Sequence, residues 1–328
     1  MSYHDSISAE LAKIDKKIES MLEGEPDEVY GMLLPYVKSK GKRVRPTLAV
    51  FSYRAVGGKG DGILTLATLI EMFHNFTLIH DDIEDNSQFR RGEPTLHKKY
   101  GVAIALNSGD ALYNLIWKEL AELKLDCELY RTLNRLFVSD FKRVVEGQGF
   151  ELNWEYYNKF DIDEQQYFRM VQKKTAALMG LSCETGALMG GADGNTRKAL
   201  RNFGEKIGIS FQIQDDVLNL TGDFEKYQKE IGGDITEGKR TLMVVHVLRH
   251  TTDEEREKIV SILSNNTEKK EDINYVIDIF NKYGSMDYAI EHAVRFVDEA
   301  KSELEILPDS EYKEKLISIA DFVVKREK

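Results

Sequence analysis

The stretch Leu66–Asp85, LATLIEMFHNFTLIHDDIED, decides the fold. Its apolar residues Leu66, Leu69, Ile70, Phe73, Phe76, Ile79 and Ile83 recur at three-and-four spacing, the period of one helical face, whereas a strand would alternate. The run ends in Asp81, Asp82, Glu84 and Asp85. On a helix Asp81 and Asp85 lie one turn apart with Asp82 beside them, so their charges repel unless a cation lies between them. Hard oxygen ligands suit magnesium, which commonly takes one or two carboxylates together with substrate phosphate.

Outward from this stretch the same period recurs in Ala103–Leu123, Leu129–Val145, Phe203–Leu220, Thr241–Leu248 and Tyr288–Leu307. The five prolines, Pro26, Pro35, Pro46, Pro94 and Pro308, leave residues 95 to 307 without a helix breaker. Loops are marked at residues 57–60, 190–194, 232–234 and 264–266, and none has the composition of a domain linker. The expectation is an all-α chain, residues 1–328 forming one domain, a single large helical bundle.

A second acidic stripe lies in FQIQDDVLNL, where Gln212, Asp215, Asp216 and Asn219 fall at offsets of three, four and seven. Either stripe alone reads equally well as a solvated helix end or a cap. Two matched stripes point to a cavity and metal-assisted phosphate chemistry. Basic residues then define the substrate: GKRVRP holds Lys42, Arg43 and Arg45, and Arg90-Arg91 follow the first acidic cluster. Arginine's planar fork matches phosphate oxygens, and lysine adds a point charge. His74 lies seven residues before Asp81, two turns along the same face. His80 and His97 have no comparable support and read as structural or unassigned.

Charge excludes other classes. Forty-five basic against 56 acidic side chains give a net charge of −11, so nucleic acid or an anionic membrane is not the partner of the whole surface. Cys127 and Cys183 are too far apart for metal-ligand spacing and too few for a disulfide framework; both are expected to be buried and reduced. The polar N-terminus and the lack of a long apolar run predict a cytoplasmic protein rather than an integral membrane one.

From GKRVRP to GKRTL the chain resembles the polyprenyl synthetase family, the trans-isoprenyl diphosphate synthases, and is most like its archaeal-type geranylgeranyl diphosphate synthases. EMFHNFTLIHDDIEDNSQFRRGEPTLHKKYG is similar to the family's first aspartate-rich motif with its flanks, and FQIQDDVLNLTGD to its second. The resemblance implies the isoprenoid synthase fold, a helical bundle around a central cavity, and a homodimer. It implies that Lys42, Arg45, His74 and Arg91 hold isopentenyl diphosphate, while Arg90, Lys229 and Lys239 contact an allylic diphosphate. Asp81, Asp82 and Asp85 would face Asp215 across three magnesium ions bound with the diphosphate. Lys174 and Thr175 in QKKTAAL, with Gln212, would line the reacting carbons, and Gln148 in EGQGFEL falls in a further motif. Three positions depart from the pattern: Lys40 before Gly41, Glu151, and Asn219, whose amide cannot supply the usual negative charge.

Magnesium and basic groups would neutralise the charge growing on the departing diphosphate, and an apolar cavity would hold isopentenyl diphosphate against the allylic cation. Product length would be set below Asp81. Thr77 lies about 6 Å away along the helix, and Phe76 and Phe73 about 7.5 and 12 Å, so Thr77 leaves room where the phenylalanines close it. The resemblance points to geranylgeranyl diphosphate, with farnesyl diphosphate the nearest competitor. A terpene cyclase would lack the isopentenyl clamp, and a non-catalytic synthase subunit would lack acidic ligands.

Overall fold

The computed structural model describes residues 7–23, 26–39, 41–221 and 232–325. These residues are almost wholly helical, as the apolar period requires, and the proline-free stretch carries the longest helices, Cys127–Tyr156 and Gly194–Thr221. The other predicted periodic segments appear as helices Val102–Ala121, Leu242–Val247 and Ser285–Glu303. No described helix is long and apolar enough to cross a membrane.

The chain divides into two compact units. The first comprises Met1–Val138, Leu181–Arg201 and Ile306–Ser318. Its centre is helix Leu64–Glu84, which packs against helices Ser8–Leu22, Val44–Ala55 and Val102–Ala121. Sequence periodicity assigns this helix a single apolar face, but Leu66 through Phe73 are buried without interruption. A helix enclosed by neighbours on several sides has no solvent face to keep polar. Glu71 and Asn75 are buried with it, so each needs a partner inside. Asn75 donates to the Glu71 carbonyl at 2.7 Å, and Glu71 accepts from Arg43.

The second unit comprises Ser139–Gly180, Asn202–Glu305 and Ile319–Lys328. Its core joins Tyr167, Met170, Ile209, Ile213, Val217, Met243, Val244 and Phe280. Helix Leu242–Val247 packs against Glu164–Val171, Lys270–Lys282 and Ser285–Glu303. Local signals set the starts of these helices: Asp163 with Gln166, and Thr252 with Glu255, form reciprocal capping boxes, and the Thr241 side chain caps Leu242–Val247. Gly232-Gly233-Asp234, read from sequence as a loop, instead opens a short helix, Gly233–Thr236, with Gly232 in the left-handed region at φ 78°.

Cys183 is buried, and burial pushes its thiol up to about 12. Cys127 is exposed, contrary to expectation, because it is the first residue of its helix.

Candidate active site

Asp81 and Asp82 occupy the last turn of helix Leu64–Glu84, and Asp85 is its C-cap. Carboxylates there oppose the helix dipole, so the local backbone gives them no stabilisation and a cation must. Arg90 provides one: its Nε donates to Asp82 Oδ1 at 2.8 Å and its Nη2 to Asp81 Oδ2 at 3.4 Å. Tyr36 Oη donates to the second Asp82 oxygen at 3.2 Å. Burial raises the Asp82 carboxyl above the usual range, and Arg90 only partly offsets this.

A minimal hairpin delivers both arginines. Phe89–Arg90 pairs antiparallel with Glu93–Pro94, and the turn residues Arg91 and Gly92 have φ of 56° and 82°. Two consecutive left-handed residues are what a tight hairpin turn requires, and a non-glycine residue in the first position marks stored strain. Arg91 is held there by its Nη1, which donates to the Ser39 carbonyl at 3.2 Å and the Ser39 hydroxyl at 3.0 Å. A Cβ at position 41 would approach Arg91 Nη2 to 2.8 Å, so the glycine of GKR makes room for this guanidinium.

The basic group of GKRVRP divides in two. Arg43 is buried and saturated: it donates to Glu71 Oε1 at 2.7 Å and to the Val37 carbonyl at 2.5 Å, with Asp15 at 3.2 Å. Burial lowers its pKa, but Glu71 and Asp15 outweigh burial and the net shift is upward. This charge is structural. Arg45 is different: its Nε is buried without a hydrogen-bond partner among the described residues, and burial pulls its pKa down to about 10, with Arg91 adding to the fall. His74 is held well below its usual range, first by burial and then by Arg45, Arg91, Arg90 and Arg43. Lys42 is half-buried beside them in sequence. Arg45 and Arg91 therefore form a partly desolvated surplus of positive charge beside a neutral His74, suited to a highly charged anion.

Below the carboxylates, Phe73 is fully buried and its ring lies 5.4 Å from that of Phe76. Phe76 is backed by Tyr113 at 4.9 Å and His80 at 4.7 Å, and Tyr113 by Trp117 at 5.9 Å. The Thr77 hydroxyl turns back onto its own helix, donating to the His74 carbonyl at 2.8 Å. His80 packs here with Nε2 3.6 Å from Asp110, and His97 lies against the Thr95 hydroxyl at 3.1 Å. Both are packing residues.

In the second unit Gln172–Ala176 forms one π-helical turn between helices Glu164–Val171 and Ala177–Met189. Such bulges re-aim side chains, and this one carries Lys174 and Thr175. Gly147 and Gly208 permit it, since a Cβ at either would collide with the backbone of Lys174 or Ala176. Lys174 forms an ion pair with Glu151, so the glutamate at that departure from the family pattern is in use. Thr175 Oγ1 donates to Gln212 Oε1 at 2.7 Å, Gln212 Nε2 donates to Asp216 Oδ1 at 2.8 Å, and Tyr167 Oη donates to Asp216 Oδ2 at 3.1 Å. Burial raises the Asp216 carboxyl well above its usual value, and the nearby Asp234 and Asp215 add to the rise. Carboxylates crowded in this way fit a hard divalent cation, which would relieve the repulsion.

Asn219 does not fill the acidic role. Its side-chain oxygen accepts from the Asp234 backbone N at 3.1 Å and its carbonyl from Gly232 N at 2.9 Å, so it organises the turn that presents Asp234. Lys239 lies 3.8 Å from Asp234 and 2.5 Å from Glu237. Asp216, Asp234, Lys239 and Thr241 border one narrow pocket closed by Met243 and Phe280. Gln148 is half-buried on helix Cys127–Tyr156, and Lys229 lies outside the described residues. Sequence reasoning missed Tyr36, Glu71, Tyr167 and Asp234. Only Glu71, a lone acid within the apolar run beside His74, carried a signal, since a buried carboxylate demands a buried cation.

The chain matches known proteins over nearly its whole length. A short chain isoprenyl diphosphate synthase of Methanothermobacter thermautotrophicus is 38% identical over 314 residues, 95% of either chain. The crystal structure of a geranylgeranyl pyrophosphate synthetase from Pyrococcus horikoshii superposes with a TM-score of 0.92 at 35% identity, covering 99% of this chain and 98% of that one. A polyprenyl synthase of Caulobacter crescentus, crystallised with calcium and isoprenyl diphosphate, gives a TM-score of 0.92 at 26% identity, with coverage of 99% and 97%. Residues 26–280 match the polyprenyl synthetase pattern, and the chain belongs to that family.

Proposed function

We propose that the protein condenses isopentenyl diphosphate head-to-tail with allylic diphosphates, releasing geranylgeranyl diphosphate as its main product. The observation that carries this reading is the surplus of positive charge at Arg45 and Arg91, with the neutral His74 as a donor, beside carboxylates that themselves require a cation. One surplus binds a diphosphate directly, and the other binds it through metal. A terpene cyclase, with a single diphosphate substrate, has no use for both.

In this reading Arg45, Arg91, His74 and Lys42 hold isopentenyl diphosphate, and Arg90, Lys229 and Lys239 contact the allylic one. Asp81, Asp85 and Asp215 supply oxygen ligands to magnesium, which when bound neutralises the charge on the leaving diphosphate. Asp82 belongs to the same ligand group, and Arg90 and Tyr36 orient its carboxylate. His74 stays neutral and donates a hydrogen bond to phosphate rather than acting as a base. Thr175 and Gln212 direct oxygen dipoles toward developing positive charge on carbon, and Lys174 is anchored by Glu151. Phe76, backed by Tyr113, stops chain growth.

The exposed apolar residues Val102, Ile104, Leu106 and Val138 favour a homodimer. The deciding experiment incubates the protein with isopentenyl diphosphate, magnesium and each allylic starter in turn, followed by product chromatography. Condensation to a twenty-carbon diphosphate is expected. Hydrocarbon from a single substrate, or no condensation with any starter, would overturn the reading.

A further inference from the structure

Arg240, the arginine of GKRTL, is buried in the second unit. Its Nε donates to the Lys159 carbonyl at 3.1 Å and its Nη1 to the Gly238 carbonyl. The guanidinium lies over the Phe160 ring, 4.2 Å from its centroid. Its Nη2 is buried without a hydrogen-bond partner among the described residues. Burial lowers the Arg240 pKa, and Glu155 and Glu151 only partly offset the fall. A charge kept inside against that cost is explained by shape: a planar fork with a stacking face joins backbone segments that an apolar chain could not.

The two carbonyls belong to segments with different duties. Lys159 follows helix Cys127–Tyr156, which carries Glu151, the partner of Lys174. Asn158 ends that helix in the left-handed region at φ 48°, and Lys159 N donates back to the Trp154 carbonyl at 2.8 Å, so the Lys159 carbonyl is fixed to the helix end. Gly238 precedes Lys239 and has φ 68°, and a Cβ there would meet the Leu263 carbonyl oxygen at 2.5 Å. A glycine so placed leaves the next peptide plane free to turn unless other bonds hold it. Two do: the Gly238 carbonyl accepts from Arg240, and Lys239 N donates to the Asp234 carbonyl at 2.8 Å. Asp234 and Lys239, the side chains this turn presents, both border the narrow pocket beside Asp216.

We propose that Arg240 is a positioning residue for the allylic diphosphate: by clamping the Gly238–Lys239 peptide to the end of helix Cys127–Tyr156, it sets where the Lys239 ammonium stands. The proposal rests on the reading that Lys239 contacts that diphosphate. Arg240 itself touches no substrate in this scheme and acts through Lys239.

The test compares wild type with Arg240→Met, Arg240→Lys, Lys239→Ala and the double variant Lys239→Ala/Arg240→Met. Steady-state kinetics use geranyl diphosphate and isopentenyl diphosphate, and hydrogen exchange is followed at the Lys239 amide without substrate or metal. Arg240→Met is expected to raise KM for geranyl diphosphate at least fivefold and to leave KM for isopentenyl diphosphate within twofold of wild type. Arg240→Lys should not rescue it, because one ammonium cannot reach both carbonyls and cover the ring. The Lys239 amide should exchange at least tenfold faster in Arg240→Met, while Val245 and Leu248, whose amides bond to the Thr241 and Val244 carbonyls, keep wild-type protection. Because Arg240 acts through Lys239, the double variant should match Lys239→Ala within twofold. Multiplied losses in the double variant, equal rises in both KM values, or wild-type exchange at Lys239 in Arg240→Met would each overturn the proposal while leaving the role of Lys239 intact. A wild-type KM for geranyl diphosphate in Lys239→Ala would instead remove the underlying reading, and the proposal with it.

Discussion

The Tyr167 hydroxyl lies 3.1 Å from Asp216 Oδ2, fully buried, at the end of a chain of donors that starts at Thr175 and passes through Gln212. Each group has one orientation that satisfies its neighbour, so the Gln212 amide cannot turn without breaking two bonds. Tyr167→Phe keeps the ring and removes only the O–H. It should cost about 1–2 kcal/mol in urea unfolding and lower kcat roughly tenfold while leaving KM for isopentenyl diphosphate nearly unchanged. An unchanged kcat would show that the chain serves packing alone.

The π-helical turn that carries Lys174 and Thr175 offers a sharper test of geometry. A Cβ at Gly147 would meet the Lys174 backbone, whereas Gly149, two residues along the same helix, has open space within 4 Å. Gly147→Ala should destabilise by about 1–3 kcal/mol and depress activity. Gly149→Ala should be neutral or stabilise by about 0.5 kcal/mol, since alanine is the better helix former. Denaturant midpoints of the two variants check this directly.

Arg45 and His74 tie substrate binding to stability. Burial disfavours the Arg45 charge more than Glu71 favours it and leaves its Nε without a hydrogen bond, so Arg45→Met should raise the melting temperature of the free protein while raising KM for isopentenyl diphosphate at least tenfold.

The His74 pKa is depressed in the folded state, so below about pH 6.5 the unfolded chain binds more protons than the folded one. Stability then declines as pH falls through that value and is level with respect to His74 above it. His74→Gln should flatten part of this acid-side slope in denaturation curves measured between pH 5 and 7, an interval of about two units around the ordinary histidine pKa.

Phe76 is held by Tyr113, His80 and Phe73, so the ring cannot simply swing aside to admit a longer chain. Phe76→Ala should shift products to more than twenty carbons, and a bulky residue in place of Thr77 should shorten them. An unchanged product distribution from Phe76→Ala, read by chromatography, would remove Phe76 as the stop.

Periodicity in Leu66–Asp85 and its repeats determined the helical class, because a 3.6-residue apolar stripe has only one backbone conformation that buries it. The residue types of the two acidic stripes and the basic segments likewise determined diphosphate and divalent-metal chemistry. Charge and spacing alone could not divide Arg43 from Arg45, two neighbours of equal charge; the family resemblance assigned Arg45 to substrate, and the physical reason for the difference lies in what the fold brings to each. Arg43 meets Glu71 and Asp15, while Arg45 keeps a buried nitrogen without a partner. Nor could sequence give Asn219 its work of holding Asp234, fifteen residues on, or place Tyr167 on Asp216 across 49 residues. Local pattern fixes which side chains share a helical face, but a charge is catalytic or structural according to its neighbours in space, and those are chosen only when the helices pack.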